Sequence, residues 1–219
     1  MKNIDDMTDE EIEAYLADTD STSDNPGDGN TIRYGFFLIV AGALAAFASV
    51  QLILAELTLA KDPAAALKCD INPLIGCSTF LTSWQGHLLG VSNSILGVAF
   101  FAGLIGVGVV AATGSRLTSG MWLLLVAGAG ISTVWLGFFF YESFFVSGTL
   151  CPWCLVIWLS LIPFILVTAG QAHQCGAFRM GAVGSFLGRR PVSASAIAYG
   201  VVIAFIIVWF WSDWMAILG

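Results

Sequence analysis

The stretch CPWCLVIWLSLIPFILVTA, residues Cys151–Ala169, decides how the rest of the chain is read. It carries no charged residue, and a helix needs about 20 predominantly apolar residues to cross a bilayer core. Backbone N–H and C=O groups in lipid have no water to bond, so such a run forms a helix that satisfies them internally. Working outward, four more runs meet the same standard: Tyr34–Leu57, Ser92–Ala112, Met121–Val146 and roughly Ala196–Leu218. The composition agrees, with 58% hydrophobic and 11% charged residues in 219 and a mean hydropathy of +0.86; soluble domains are about one-quarter charged. The expected fold class is all-α integral membrane, with five transmembrane helices. Membrane lipid is the partner this implies, and nothing suggests nucleic acid.

Residues 1–33 differ from the remainder. They hold ten of the fifteen acids, among them Asp5, Glu10, Asp18 and Asp28, against only Lys2 and Arg33. A segment so polar cannot bury enough apolar surface to order itself. We therefore expect an acidic disordered tail over 1–33 and a membrane domain over 34–219. The tail lacks the basic start and short apolar core of a secretory signal, which leaves targeting to the first span. Orientation follows from Lys and Arg in short connections. Lys2, Arg33, Arg116, Arg179, Arg189 and Arg190 fall on the N-terminal side, and Lys61 and Lys68 on the other. That bias predicts a multi-pass protein of the cytoplasmic membrane with its N-terminus in the cytoplasm and its C-terminus outside.

The connection from Thr58 to Val91 is about 34 residues long where most run to about 4–6, a length that usually carries function. Its second half, Phe80–Val91, is too short and polar to span and reads as a short re-entrant or interfacial helix with Trp84 at headgroup level. Its first half holds Cys69 and Cys77. Two spans later Cys151 and Cys154 open a helix, so both pairs face one side, and by the charge bias that side is extracytoplasmic, where disulfides persist. Pro152 suits a first helical turn. At that helix N-terminus, unpaired N–H groups and the dipole favour a Cys151 thiolate. Cys154, three residues on, shares its face but lies deeper toward lipid. One sulfur then meets water-borne thiols and the other a membrane-dissolved molecule. Pro73 and Gly76 can fold Cys69 and Cys77 to bridging distance, as a mobile-loop disulfide that swings onto the helix pair. Both pairs also admit a structural reading, and a zinc site is disfavoured by the seven-residue gap. Cys175 falls on the opposite side without a companion and reads as a bystander.

Polar residues within spans default to function. Asn93 can donate to a carbonyl oxygen of a bound ring or cap its helix. Glu56 and Glu142 read as carboxylates snorkelling to headgroups. His87 reads as a surface histidine, with proton relay as the alternative. Trp153 and Trp158 either line a flat pocket or belong to an interfacial belt.

In order, the Cys69/Cys77 pair, Thr82-Ser83-Trp84, Ser92–Gly97 and Cys151-Pro-Trp-Cys154 resemble the vitamin K epoxide reductase family over about residues 34 to 170. The resemblance implies four helices bundled around a quinone site, with the fifth as in prokaryotic members. It implies a quinone acceptor of menaquinone, ubiquinone or phylloquinone type. No thioredoxin domain follows the last span, as it does in some members, so a separate extracytoplasmic thioredoxin-like partner is implied. By position, Cys154 would be the sulfur nearest the quinone and Cys151 its partner; Cys69 would take electrons from outside, and Cys77 would attack Cys151. Ser83 resembles the family's hydroxyl residue supporting the active cysteine, and Asn93 the Asn that bonds the quinone oxygen. One departure is Trp158, where many members carry a Tyr that supplies a second hydrogen bond. The expected activity is thiol oxidation coupled to quinone reduction. The competing classes are a transmembrane conduit of thiol reductant and a transporter or metal-binding membrane protein with structural disulfides.

Overall fold

In this computed structural model the described residues are Thr8, 28–115, 117–174 and 180–218. Apart from Thr8, the acidic stretch before Asp28 lies outside them, as do Arg116, Cys175 and Arg179. The helices run in the order α1 Asp28–Lys61, α2 Ser78–Leu81, a 3-10 turn Trp84–His87, α3 Asn93–Ala112 and α4 Ser119–Tyr141. They continue as α5 Pro152–Gln174, α6 Gly181–Arg189, α7 Pro191–Trp209 and α8 Trp211–Leu218. Five are long and apolar enough to cross a membrane: α1, α3, α4 with its extension to Val146, α5 and α7. Large apolar side chains such as Phe36, Leu44, Leu124, Val134 and Val208 point outward. Apolar surface on that scale is stable only against lipid, so the expected all-α membrane class holds.

Three boundaries correct the sequence reading. Helix α1 begins at Asp28, so residues 28–33 belong to it and not to the tail. The fifth span is Pro191–Trp209 and not Ala196–Leu218, because Pro191 opens the helix and the helix ends at Phe210 before α8. Proline suits that first turn, where its missing N–H removes no bond. The segment expected as one interfacial helix is two short pieces, α2 and the 3-10 turn, separated by Ser83 in extended conformation.

Helix α5 is the hub, packing against α1, α4, α6 and α7, while α1 lies along α3. Small residues allow the α1–α3 approach. Gly35, Gly42 and Ser49 recur every seventh position on the face toward α3, and a Cβ at Gly35 would sit 2.3 Å from the Ala112 nitrogen. Membrane helices associate through such small-residue seams because burial from lipid supplies little drive.

Pro163 lies inside α5 and cannot donate to Leu159. In lipid the freed carbonyl needs another donor. The Tyr199 hydroxyl of α7 donates to the Leu159 carbonyl, which ties the fifth span to the hub where proline opened the ladder. At the end away from the described cysteines, Tyr34 and Thr168 share a buried 2.8 Å hydrogen bond.

Candidate redox site

The site begins with the fold of the loop. The Asn72 side chain accepts from the Leu74 and Ile75 N–H groups at 2.9 and 2.8 Å, turning the chain back on itself. The Asp70 carboxylate then accepts from the Cys77 and Ser78 N–H groups at 2.6 and 3.1 Å, filling the N-terminus of α2. This turn brings the Cys69 and Cys77 Cα atoms to 5.8 Å, and their sulfurs are bonded. Two backbone bonds dock the turn onto the residue before Cys151: Gly76 donates to Leu150 at 3.1 Å, and Leu150 donates to Leu74 at 2.8 Å.

That docking sets the sulfur geometry. The Cys77 and Cys151 Sγ atoms are 3.5 Å apart, and Cys77 and Cys151 are 0% and 1% exposed. All four sequence-predicted cysteines gather in one apolar cluster with Leu52, Leu67 and Phe80, at the end of the bundle where α1 stops and α5 starts. Cys151 and Cys154 are free thiols. Sulfurs bonded through a loop, a sulfur in contact beside them and a fourth one turn deeper make a linear series.

The swinging loop expected from sequence is not what the structure holds. Cys69 is 8% exposed and the loop is clamped by Asp70, Asn72 and Leu150. Asp70 and Asn72, two polar residues of the loop, are the clamps.

Cys151 lies just ahead of α5. A hydrogen bond from the Cys154 thiol, together with the backbone N–H groups of Cys154 and Trp153, holds it below the ordinary thiol value, against burial and the nearby Asp70 charge. The donor atoms of Cys69, Asp70 and Cys77 also fall within 4.8 Å of one another. Here the sulfurs are joined to each other and the carboxylate holds two N–H groups, which is the chemistry of a clamped disulfide.

Beyond Cys154 lies a cavity of about 270 Å³ between α1, α3, α4 and α5. Cys154, Asn93, Trp158, Trp135, Phe139 and Ser49 are on its wall, and Phe80, Leu81, Gly86 and Leu89 cover it from the loop. The volume falls just short of the usual small-molecule range of about 300–1,000 Å³. Flat aromatic walls with few polar atoms suit an apolar ring bearing carbonyl oxygens.

The remaining expected residues divide. Ser92, not Asn93, caps α3, its side chain accepting from the Ser94 N–H. Asn93 instead donates to the Gln85 carbonyl at 2.6 Å, while its buried Oδ1 has no partner. Trp158 is on the cavity wall, packed against Phe140 and Phe144. The Ser83 hydroxyl donates to the Phe80 carbonyl at 2.9 Å and bonds no cysteine. Trp84 is 70% exposed, as an interfacial residue should be.

Both snorkelling glutamates are corrected. Glu56 pairs with His87 Nε2 at 2.7 Å and accepts from Ser92 Oγ at 2.6 Å, closing the cap segment onto α1. Glu142 is buried where α4 passes into a π turn over Glu142–Val146, with Ser147 Oγ 3.3 Å away. Neither was legible from sequence, because the partners sit on other elements or depend on the π turn. The Glu56 clamp and the Ser49 hydroxyl are the site features that sequence reasoning missed.

No curated protein matches the chain. The profile of the Vitamin K epoxide reductase family matches residues 36–169, which takes in all four clustered cysteines and the helices around the cavity. With that match over more than half its length, the chain belongs to the vitamin K epoxide reductase family, whose members are membrane thiol redox enzymes.

Proposed function

We propose that the protein is a membrane thiol oxidase: it reoxidises an extracytoplasmic thioredoxin-like dithiol protein and passes the electron pair to a membrane quinone. The observation that carries this reading is the series Cys69–Cys77, Cys151, Cys154 ending on the apolar cavity. The charge bias assigns the cysteine end to the outside and the N-terminus to the cytoplasm.

Each step balances. A partner thiolate attacks Cys69 of the loop disulfide, Cys77 leaves, and the partner's second thiol resolves the mixed disulfide, so the partner is oxidised and the loop reduced. The Cys77 thiolate attacks Cys151 of the Cys151–Cys154 disulfide and Cys154 leaves; Cys69 then attacks Cys77 and frees Cys151. A quinone, when bound, accepts the two electrons and two protons of the resulting dithiol as the Cys151–Cys154 bond reforms. Asn93 and Trp158 hold the ring beside Cys154, and Asn93 is oriented by the Gln85 carbonyl. The apolar cluster shields Cys77 and Cys151, which are 0% and 1% exposed, from water and competing thiols.

The test is quinol formation by the purified protein with a reduced thioredoxin-like dithiol protein and a soluble quinone. One quinol per dithiol oxidised is expected, falling to background in Cys154→Ala. Turnover that survives Cys154→Ala would overturn the assignment.

A further inference from the structure

We propose that the Ser49 hydroxyl donates a hydrogen bond to a carbonyl oxygen of the bound quinone, an inference that rests on the quinone reading above. Several helical hydroxyls in this protein bond backward along their own helix. Thr58 bonds the Leu54 carbonyl, Thr133 that of Ala129, Ser160 that of Val156 and Ser195 that of Pro191, at 2.8, 2.8, 3.3 and 3.0 Å. This is the four-back pattern by which helical Ser and Thr satisfy themselves. Ser49 breaks it: its side chain is 0% exposed and its Oγ has no hydrogen-bond partner. A membrane interior offers no water to repair that loss, so an unpaired hydroxyl marks a place where a ligand supplies the partner.

Its position fits. Ser49 is on the wall of the cavity that holds Cys154, Asn93 and Trp158. Opposite it, α3 is reduced to Gly97, where a Cβ would stand 2.8 Å from Ser49 Oγ. Gly97 lies one turn from Asn93 on the same helical face, which sets the hydroxyl one turn deeper along the Asn93 wall. One Asn93 N–H is already held by Gln85, and Trp158 stands where the family's tyrosine would donate. A quinone has two carbonyl oxygens, so a second donor is wanted. A serine hydroxyl both donates and accepts; it donates to the quinone and accepts from the quinol, keeping the contact in both redox states.

The test uses the full chain in detergent and a short-chain soluble quinone. Trp135 and Trp158 face the cavity, so quenching of their fluorescence reads occupancy without turnover. Ser49→Ala is expected to weaken quinone binding about three- to tenfold, the worth of one neutral hydrogen bond, while its melting temperature stays at or above that of the native chain. A purely structural serine would move stability and leave affinity alone. Gly97→Ala, which pushes a methyl onto the hydroxyl, is expected to weaken binding too, and Ser49→Ala/Gly97→Ala to match Ser49→Ala alone. Native affinity in Ser49→Ala overturns this inference and leaves the quinone reading standing. No saturable quenching in the native chain overturns both.

Discussion

At the scale of single residues, the chemistry rests on sulfurs whose reactivity is set by what touches them. The Cys154 thiol is the leading cause that holds Cys151 low. A thiol held low stays ionised to more acidic pH, so removing its donor moves the titration upward. In Cys154→Ala the pH midpoint for reaction of Cys151 with a small thiol reagent, followed by mass spectrometry, is therefore expected to rise, and Cys151 to react more slowly near neutral pH; an unmoved midpoint would contradict this. The four cysteines were legible in the sequence, because Cys-x-x-Cys at a helix mouth and a long connection with a spaced pair are local signals. Ser49 was not, because a serine among apolar helix residues looks like any small packing residue. What singles it out is an absent bond to Ala45 and a glycine on another helix, and both are facts of three-dimensional placement.

Helices and loops act here as clamps. Glu56 closes the cap segment over the cavity through His87 and Ser92, and Ser92 in turn starts the helix that carries Asn93. His87 is 40% exposed and the pair is partly screened, so Glu56→Ala is expected to lower stability by only about 1 kcal/mol. The same change should raise the KM for quinone several-fold and leave the KM for the dithiol partner unmoved, a split that steady-state kinetics with each substrate varied in turn will reveal. Tyr199 offers a second case. Its hydroxyl meets the carbonyl that Pro163 frees, so Tyr199→Phe should cost about 1 kcal/mol. In Pro163→Ala, which restores a donor to Leu159, the same change should cost less; equal costs in a thermal-unfolding cycle would contradict the link. Spans were readable from hydropathy because lipid dictates length. The loop clamps were not, since Asp70, Asn72 and Glu56 have the composition of ordinary solvated loop and helix-end residues and acquire their partners only on folding.

For the whole molecule, one end of the bundle gathers every described cysteine and the loop that covers the cavity, and the other carries the Tyr34–Thr168 bond and the basic pair Arg189 and Arg190. Five spans and the charge bias predict opposite sides for these ends. In a cysteine-free background, a membrane-impermeant maleimide added to intact cells should label Lys68→Cys and spare Arg190→Cys until the membrane is opened. The central claim is that electrons cross from loop to helix through one sulfur contact, Cys77 to Cys151. It is tested most directly by removing the competing thiols, in Cys69→Ala/Cys154→Ala/Cys175→Ser, and oxidising gently. Mass spectrometry of the digested protein should then find the peptides of Cys77 and Cys151 joined by a disulfide within one chain, whereas two free thiols, or bonds only between separate chains, would contradict the relay.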